Sequence, residues 1–145
     1  MLYSHRQWGT VIIVTVTIVL IMIAILYQNL GRNPVGIAVF AILLVTMLLF
    51  HSLTVEVDHQ ELHLIFGIGL FRKRFELKEI REVKPVRNHW YYGWGIRMTP
   101  HGWLYNVAGL GAVEITMTNG NKYRIGTDEP EKLNNVLNQT IQQSS

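Results

Sequence analysis

Five of the six histidines (His51, His59, His63, His89 and His101) lie beyond residue 50, and the stretch HQELH sets His59, Glu61 and His63 at alternate positions, residue types that hold zinc. On a strand these three share a solvent-side face beside a turn, and the sequence groups no further ligand of the right kind with them, so they read as turn and surface residues and no metal is assigned. The chain has no Gly-x-Ser-x-Gly elbow, no Gly-x-x-x-x-Gly-Lys phosphate loop and no His-Glu-x-x-His pair. GIGLFRK resembles a glycine-rich phosphate loop only superficially, because it joins two alternating runs and opens no helix whose amide end could bind an anion. Asp128 and Glu129 are explained as helix-start residues favoured by the helix dipole. No acid, base and nucleophile constellation meets a geometric checklist, so no catalytic residue and no cofactor is assigned and a non-enzymatic protein is expected.

Two other groups are suited to binding. Arg72, Lys73 and Arg74 form a basic run, and near a bilayer each such charge attracts anionic headgroups by about 1 kcal/mol; the same residues also suit a solvated strand face or snorkelling anchors. The stretch NHWYYGWGIRMTPHGWLYNVAGLG, residues 88–111, holds three of the four tryptophans, three of the six tyrosines and five glycines. Within it Trp90, Tyr91, Tyr92 and Trp94 suit core packing, membrane contact or a partner groove, since large aromatics serve in all three. Trp103 and Tyr105 read as packing residues.

The elements that must position these residues differ sharply along the 145-residue chain. Apart from Arg6 and Arg32, every Lys, Arg, Asp and Glu lies after residue 55, and Trp8 to Leu30 and Asn33 to Val55 run without one. A bilayer-spanning helix needs about 20 mostly apolar residues, so two spans are expected, at about 9–30 and 34–50. GRNP joins them: Gly31 ends the first, Asn33 caps the second and Pro34 fits its first turn. The first run keeps bulky residues throughout and lacks a small-x-small cleavage site, so it reads as uncleaved. A tight hairpin puts both chain ends on one side, and retention of FRKR places that side in the cytoplasm. Trp8 and Tyr27 fit the interfacial belt.

After Phe50 the pattern alternates. Leu53, Val55 and Val57 oppose Thr54, Glu56 and Asp58, ELHLIF repeats the period after DHQ, and FRKRFEL sets Phe71, Phe75 and Leu77 against Arg72, Arg74 and Glu76. EIREVKPVR suits a strand bulged near Pro85. GIRMT and WLYNV form a meander, AVEITM and KYRI flank an Asn119-Gly120 hairpin turn, and a helix at about 128–142 is introduced by a capping-box spacing of Asp128 and Glu131, with Leu133, Val136, Leu137 and Ile141 on one face.

From about His51 onward, VEVDHQELHLIFGIGLFRKRF, the series GWGIR, GWLYNV and RIGTDEPE, and the preceding helix pair resemble small bacterial membrane proteins carrying a bacterial pleckstrin-homology-like domain. The resemblance implies a membrane-anchored α+β protein: residues 1–50 a transmembrane helical hairpin, residues 51–145 a strongly bent antiparallel sheet or barrel of about seven strands, open at one corner and capped by the C-terminal amphipathic helix. The usual basic motif of such domains sits on the first hairpin, whereas Arg72 to Arg74 follow the second strand, so an inositide site is not carried over.

A net charge of +3 with interleaved acids argues against nucleic acid, and the lack of cysteine excludes disulfides and thiol chemistry. The expectation is a multi-pass protein of the bacterial inner membrane, both termini cytoplasmic, whose domain meets the lipid bilayer, a protein partner or a second copy of itself. A small-molecule-binding or catalytic membrane domain is the competing class. A transporter subunit is disfavoured because the spans contain no ionisable residue.

Overall fold

The alternation at residues 53–57 becomes a strand whose inward side chains, Leu53, Val55 and Val57, are all buried, and it pairs with a strand formed by the six residues ahead of the first helix. In the computed structural model, residues 2–31, 33–92, 95–107 and 109–144 are described. Their order is β1 (Tyr3–Trp8), α1 (Thr10–Leu30), α2 (Pro34–Phe50), β2 (Ser52–Val57), β3 (Glu61–Phe66), β4 (Phe71–Glu76), β5 (Ile80–Arg87), β6 (Gly95–Thr99), β7 (Gly102–Asn106), β8 (Gly111–Met117), β9 (Lys122–Gly126) and α3 (Pro130–Ser144). Short 3-10 turns occupy Leu77–Glu79 and Trp90–Tyr92.

The architecture is α+β with two sheets. One is an antiparallel meander ordered β1-β2-β3-β4; the other runs β5-β8-β9-β7-β6 and is mixed, because β7 and β9 are parallel. The expectation of one antiparallel sheet of about seven strands beyond residue 51 is corrected: eight strands form there among the described residues, in two sheets with one parallel pair, and a ninth, β1, went unforeseen because a six-residue strand beside an apolar helix carries little periodic signal. Pro85 pairs with Val113 without a bulge, the register shift falling instead between Ile80 and Glu82; as an edge strand, β5 tolerates the proline.

The inner faces of both sheets and α3 enclose one core that includes Leu62, Leu64, Phe66, Val113, Ile115, Ile125, Leu133 and Leu137. Burying each such side chain contributes about 1.5–3 kcal/mol. Helix α3 packs on β5, β8 and the turn at Leu77–Glu79, with Leu133 and Leu137 fully buried as its periodicity requires. Asp128 and Glu129 also tie β1 to the start of α3: Asp128 meets His5 Nε2 at 2.6 Å, and Glu129 accepts a hydrogen bond from the Tyr3 hydroxyl. On the outer face of the second sheet, Arg124 and Glu114 form a buried pair at 3.0 Å, with Asn88 accepting a further guanidinium bond at 3.2 Å.

Helix α1 is long and apolar enough to cross a membrane, with a mean hydropathy of 2.9 over an 18-residue stretch within Thr10–Asn29. Its 21 residues reach about 31 Å, against a hydrocarbon layer of about 30 Å. Helix α2, capped by Asn33 through Val35 N–H at 2.9 Å, is equally apolar but has 17 residues. It buries no residue, and Val14, Ile18, Ile21, Ile37, Ile42 and Val45 are among the apolar side chains that the pair exposes.

Candidate functional site

The strand register decides which charges stand together. On the outer face of the first sheet, the row beside the helices joins Trp8 to Ser52; the next joins Arg6, Thr54, Ile65 and Arg72; the third joins Ser4, Glu56, His63 and Arg74. The pleat therefore divides the basic run of β4. Arg72 and Arg74 point outward, whereas Lys73 pairs in register with Leu64 on the inner face, its ammonium 5.5 Å from the Phe75 ring and 5.8 Å from Tyr123, a cation–π arrangement.

Arg74 is engaged by Glu61 at 3.8 Å, and Glu61 also meets His63 at 3.2 Å. Arg6 and Arg72 differ: among the described residues neither lies within 4.0 Å of a carboxylate. Arg72 donates from Nε to the Gly69 carbonyl at 2.8 Å, and Arg6 lies 5.1 Å from the Trp8 ring centroid. Both guanidinium groups are thus oriented by partners that leave their charge unneutralised. They border one shallow groove of about 430 Å³ shared with Thr54, Glu56, Ile65 and Ile68.

This groove adjoins the helix bases. Gly67 N–H donates to the Ser52 carbonyl at 2.8 Å, and Ile68 N–H to the Leu48 carbonyl at 3.3 Å, so the β3–β4 turn lies against the last turn of α2. Phe71 stacks on Phe50 with centroids 5.6 Å apart. The tip is apolar and uncovered: Ile68 is exposed, and Leu70 is 74% exposed. Sequence reasoning singled out Arg72 but missed Arg6, Ile68 and Leu70; the signal available for Arg6 was its nearness to an apolar helix.

The aromatic stretch behaves differently at each residue. Asn88 is buried on Arg124, Trp90 is 77% exposed, Tyr91 is exposed and stacks on His89, and Tyr92 lies 6.1 Å from His101. Trp94 lies outside the described residues. Trp103, expected to be a packing residue, is 41% exposed in the row it shares with the exposed Met98 of the edge strand β6; Tyr105, two residues further on, is buried.

Near HQELH, the structure brings together Asp58, Glu61 and His63, with ligand-type atoms within 4.8 Å of one another. Asp58 already accepts the Gln60 and Glu61 amides at 2.8 and 2.7 Å, and these bonds hold its carboxyl below the ordinary value. The group works as a turn: its carboxylate closes the β2–β3 connection.

Compared with known proteins, the chain matches no family model and no curated relative.

Proposed function

We propose that this is a non-enzymatic, membrane-anchored interaction module: a pleckstrin-homology-like domain held at the inner membrane surface by two spans, α1 and α2. The observation that carries this reading is the register of β1 on β2. Trp8 pairs with Ser52, so the chain leaves the sheet at Gly9, passes through both apolar helices and re-enters beside its point of departure. A domain attached through both strands is held against the bilayer with little freedom to tilt away, which raises its effective concentration towards anything in that plane.

Two sheets around one core, with a C-terminal helix packed on β5 and β8, support the pleckstrin-homology-like reading, and the uncovered apolar surface of α2 supports a second span in spite of its 17 residues, since a short span is accommodated by local thinning of the bilayer. Contacts divide between two surfaces: lipid headgroups at the Arg6 and Arg72 face, and a protein partner or second copy at Trp90 and Tyr91, whose exposed rings have the composition of an interface core.

Reporter fusions at residue 32 and at the carboxyl terminus test the arrangement. The loop is expected outside and the terminus in the cytoplasm; opposite sides with the terminus outside, or both on one side, overturn the proposal.

A further inference from the structure

We propose that the groove between Arg6 and Arg72 binds the phosphate of an anionic phospholipid belonging to the leaflet in which the helix bases sit. This rests on the membrane-anchored reading above and narrows its headgroup contact at the Arg6 and Arg72 face to one groove, one chemical group and one charge class of lipid.

Position comes first. Measured along β1, Arg6 is three residues from Gly9, about 10 Å, and Ser4 in the following row about 17 Å. The polar layer outside the hydrocarbon is about 5–8 Å deep on each side. The Arg6 row thus stands just outside that layer, within an arginine side chain's reach of the phosphates, and the Arg74 row stands well beyond it. Arg74 is also occupied by Glu61, and Lys73 is turned to the other face of the sheet.

Chemistry comes second. A guanidinium offers five N–H donors in a planar fork suited to phosphate oxygens, and here two of them border one groove with the Thr54 hydroxyl between their strands. Glu56 contributes the opposing charge from the next row, leaving two positive groups against one negative. That balance favours a headgroup with net negative charge over a zwitterionic one, whose cationic end would meet the same arginines. Ile65 stands in the row of the two arginines, Ile68 lines the groove on the helix side, and the exposed Leu70 continues the apolar surface towards the acyl chains. The orienting partners of the two arginines, the Gly69 carbonyl and the Trp8 ring, reduce the ordering that binding would otherwise require.

The test uses the full chain reconstituted in nanodiscs of equal phosphatidylglycerol and phosphatidylcholine, transferred to micelles, with the retained lipids quantified. Phosphatidylglycerol is expected to be enriched. Arg6→Gln and Arg72→Gln each lower the enrichment about fivefold, and the double substitution brings it to parity. Glu56→Gln raises it, an outcome that misfolding cannot imitate. Arg97→Gln, at an exposed position on the other sheet, leaves it unchanged. Enrichment that survives the double substitution, or fails to rise with Glu56→Gln, overturns the site. Displacement of the lipid by inorganic phosphate at matched ionic strength overturns the lipid as the source of the phosphate. Alkaline carbonate extraction separates the two levels: release of the wild-type chain from membranes sinks the anchored reading, whereas retention without any phosphatidylglycerol preference sinks only the site.

Discussion

The Gly9 amide donates to the His51 carbonyl at 2.7 Å, joining the two bases of a helical pair that the chain inserts between neighbouring strands. The backbone is crowded at this junction, since a side-chain carbon on Gly9 would lie 3.0 Å from the Val107 carbonyl oxygen and 3.2 Å from that of Phe50. Helices and sheets therefore meet through main-chain contacts, a connection with little room for independent movement.

Gly67 is the most sensitive point of this junction. It has a φ of 52°, and an added Cβ would fall 2.3 Å from the Leu48 carbonyl oxygen and 2.4 Å from that of Leu49. Gly67→Ala is expected to lower stability by about 3 kcal/mol, since backbone strain adds to a clash that no side-chain rotation relieves. Gly120→Ala, also at positive φ but with nothing within 4 Å, should cost about 1 kcal/mol. Thermal unfolding of the detergent-solubilised variants measures the difference, and equal losses would remove the junction from the explanation.

Tyr3 gives the same connection a pH signature. Burial first, and then the hydrogen bond to Glu129 and its negative charge, raise the phenol above its ordinary value of 10.0. The folded state thus holds this proton more tightly than the unfolded chain. The stabilisation is complete below pH 10 and is lost as pH rises from there towards the folded value. Tyr3→Phe is expected to cost about 1–2 kcal/mol at neutral pH through the lost bond to a carboxylate. Melting curves of the two proteins should converge above pH 10; a constant gap would refute the linkage.

Truncation separates scaffold from surface within the aromatic stretch. Tyr105 is buried beside Phe66 and Phe75, with ring centroids 6.3 and 6.4 Å away, so Tyr105→Ala is expected to cost about 3 kcal/mol or more. Trp103→Ala should cost much less, and Trp90→Ala and Tyr91→Ala under about 0.5 kcal/mol. Denaturant titration ranks the four; a large loss at Trp90 would make it a packing residue.

The legible parts of this fold were those written in local periodicity. Leu53, Val55 and Val57 alternate and are buried, Leu133 and Leu137 recur at helical spacing and are buried, and Asn33 caps α2 as its place before Pro34 implies. What could not be read depends on which strands become neighbours. Nothing near Tyr3 indicates that it will pair with Val57 and bond to Glu129, and the parallel pairing of β7 with β9 has no signature in either segment. The grouping of the basic residues was hidden for the same reason. Arg72, Lys73 and Arg74 look like one cluster in a linear chain, yet the pleat removes Lys73 and the register supplies Arg6 from the other end of the sheet. The Arg124–Glu114 pair was equally hidden, because each residue alone reads as an exposed strand position.

Lipid contact and partner contact are assigned to different tryptophans, and fluorescence distinguishes them. Trp8 is 52% exposed in the row beside the helix bases, which the proposed anchoring would put at headgroup level. The segment carrying Trp90 starts at Asn88, bonded to the Leu110 carbonyl near the same end of the domain, but it folds back along β6 until Tyr92 reaches His101 in the β6–β7 turn at the far end of that hairpin. Trp90 is therefore carried away from the helix bases. In proteoliposomes containing brominated lipid, a variant keeping Trp8 as its sole tryptophan should be quenched strongly, and one keeping only Trp90 no more than one keeping only Trp103. Quenching of Trp90 equal to that of Trp8 would transfer the aromatic loop to the membrane surface and leave the protein-partner assignment without its principal residues.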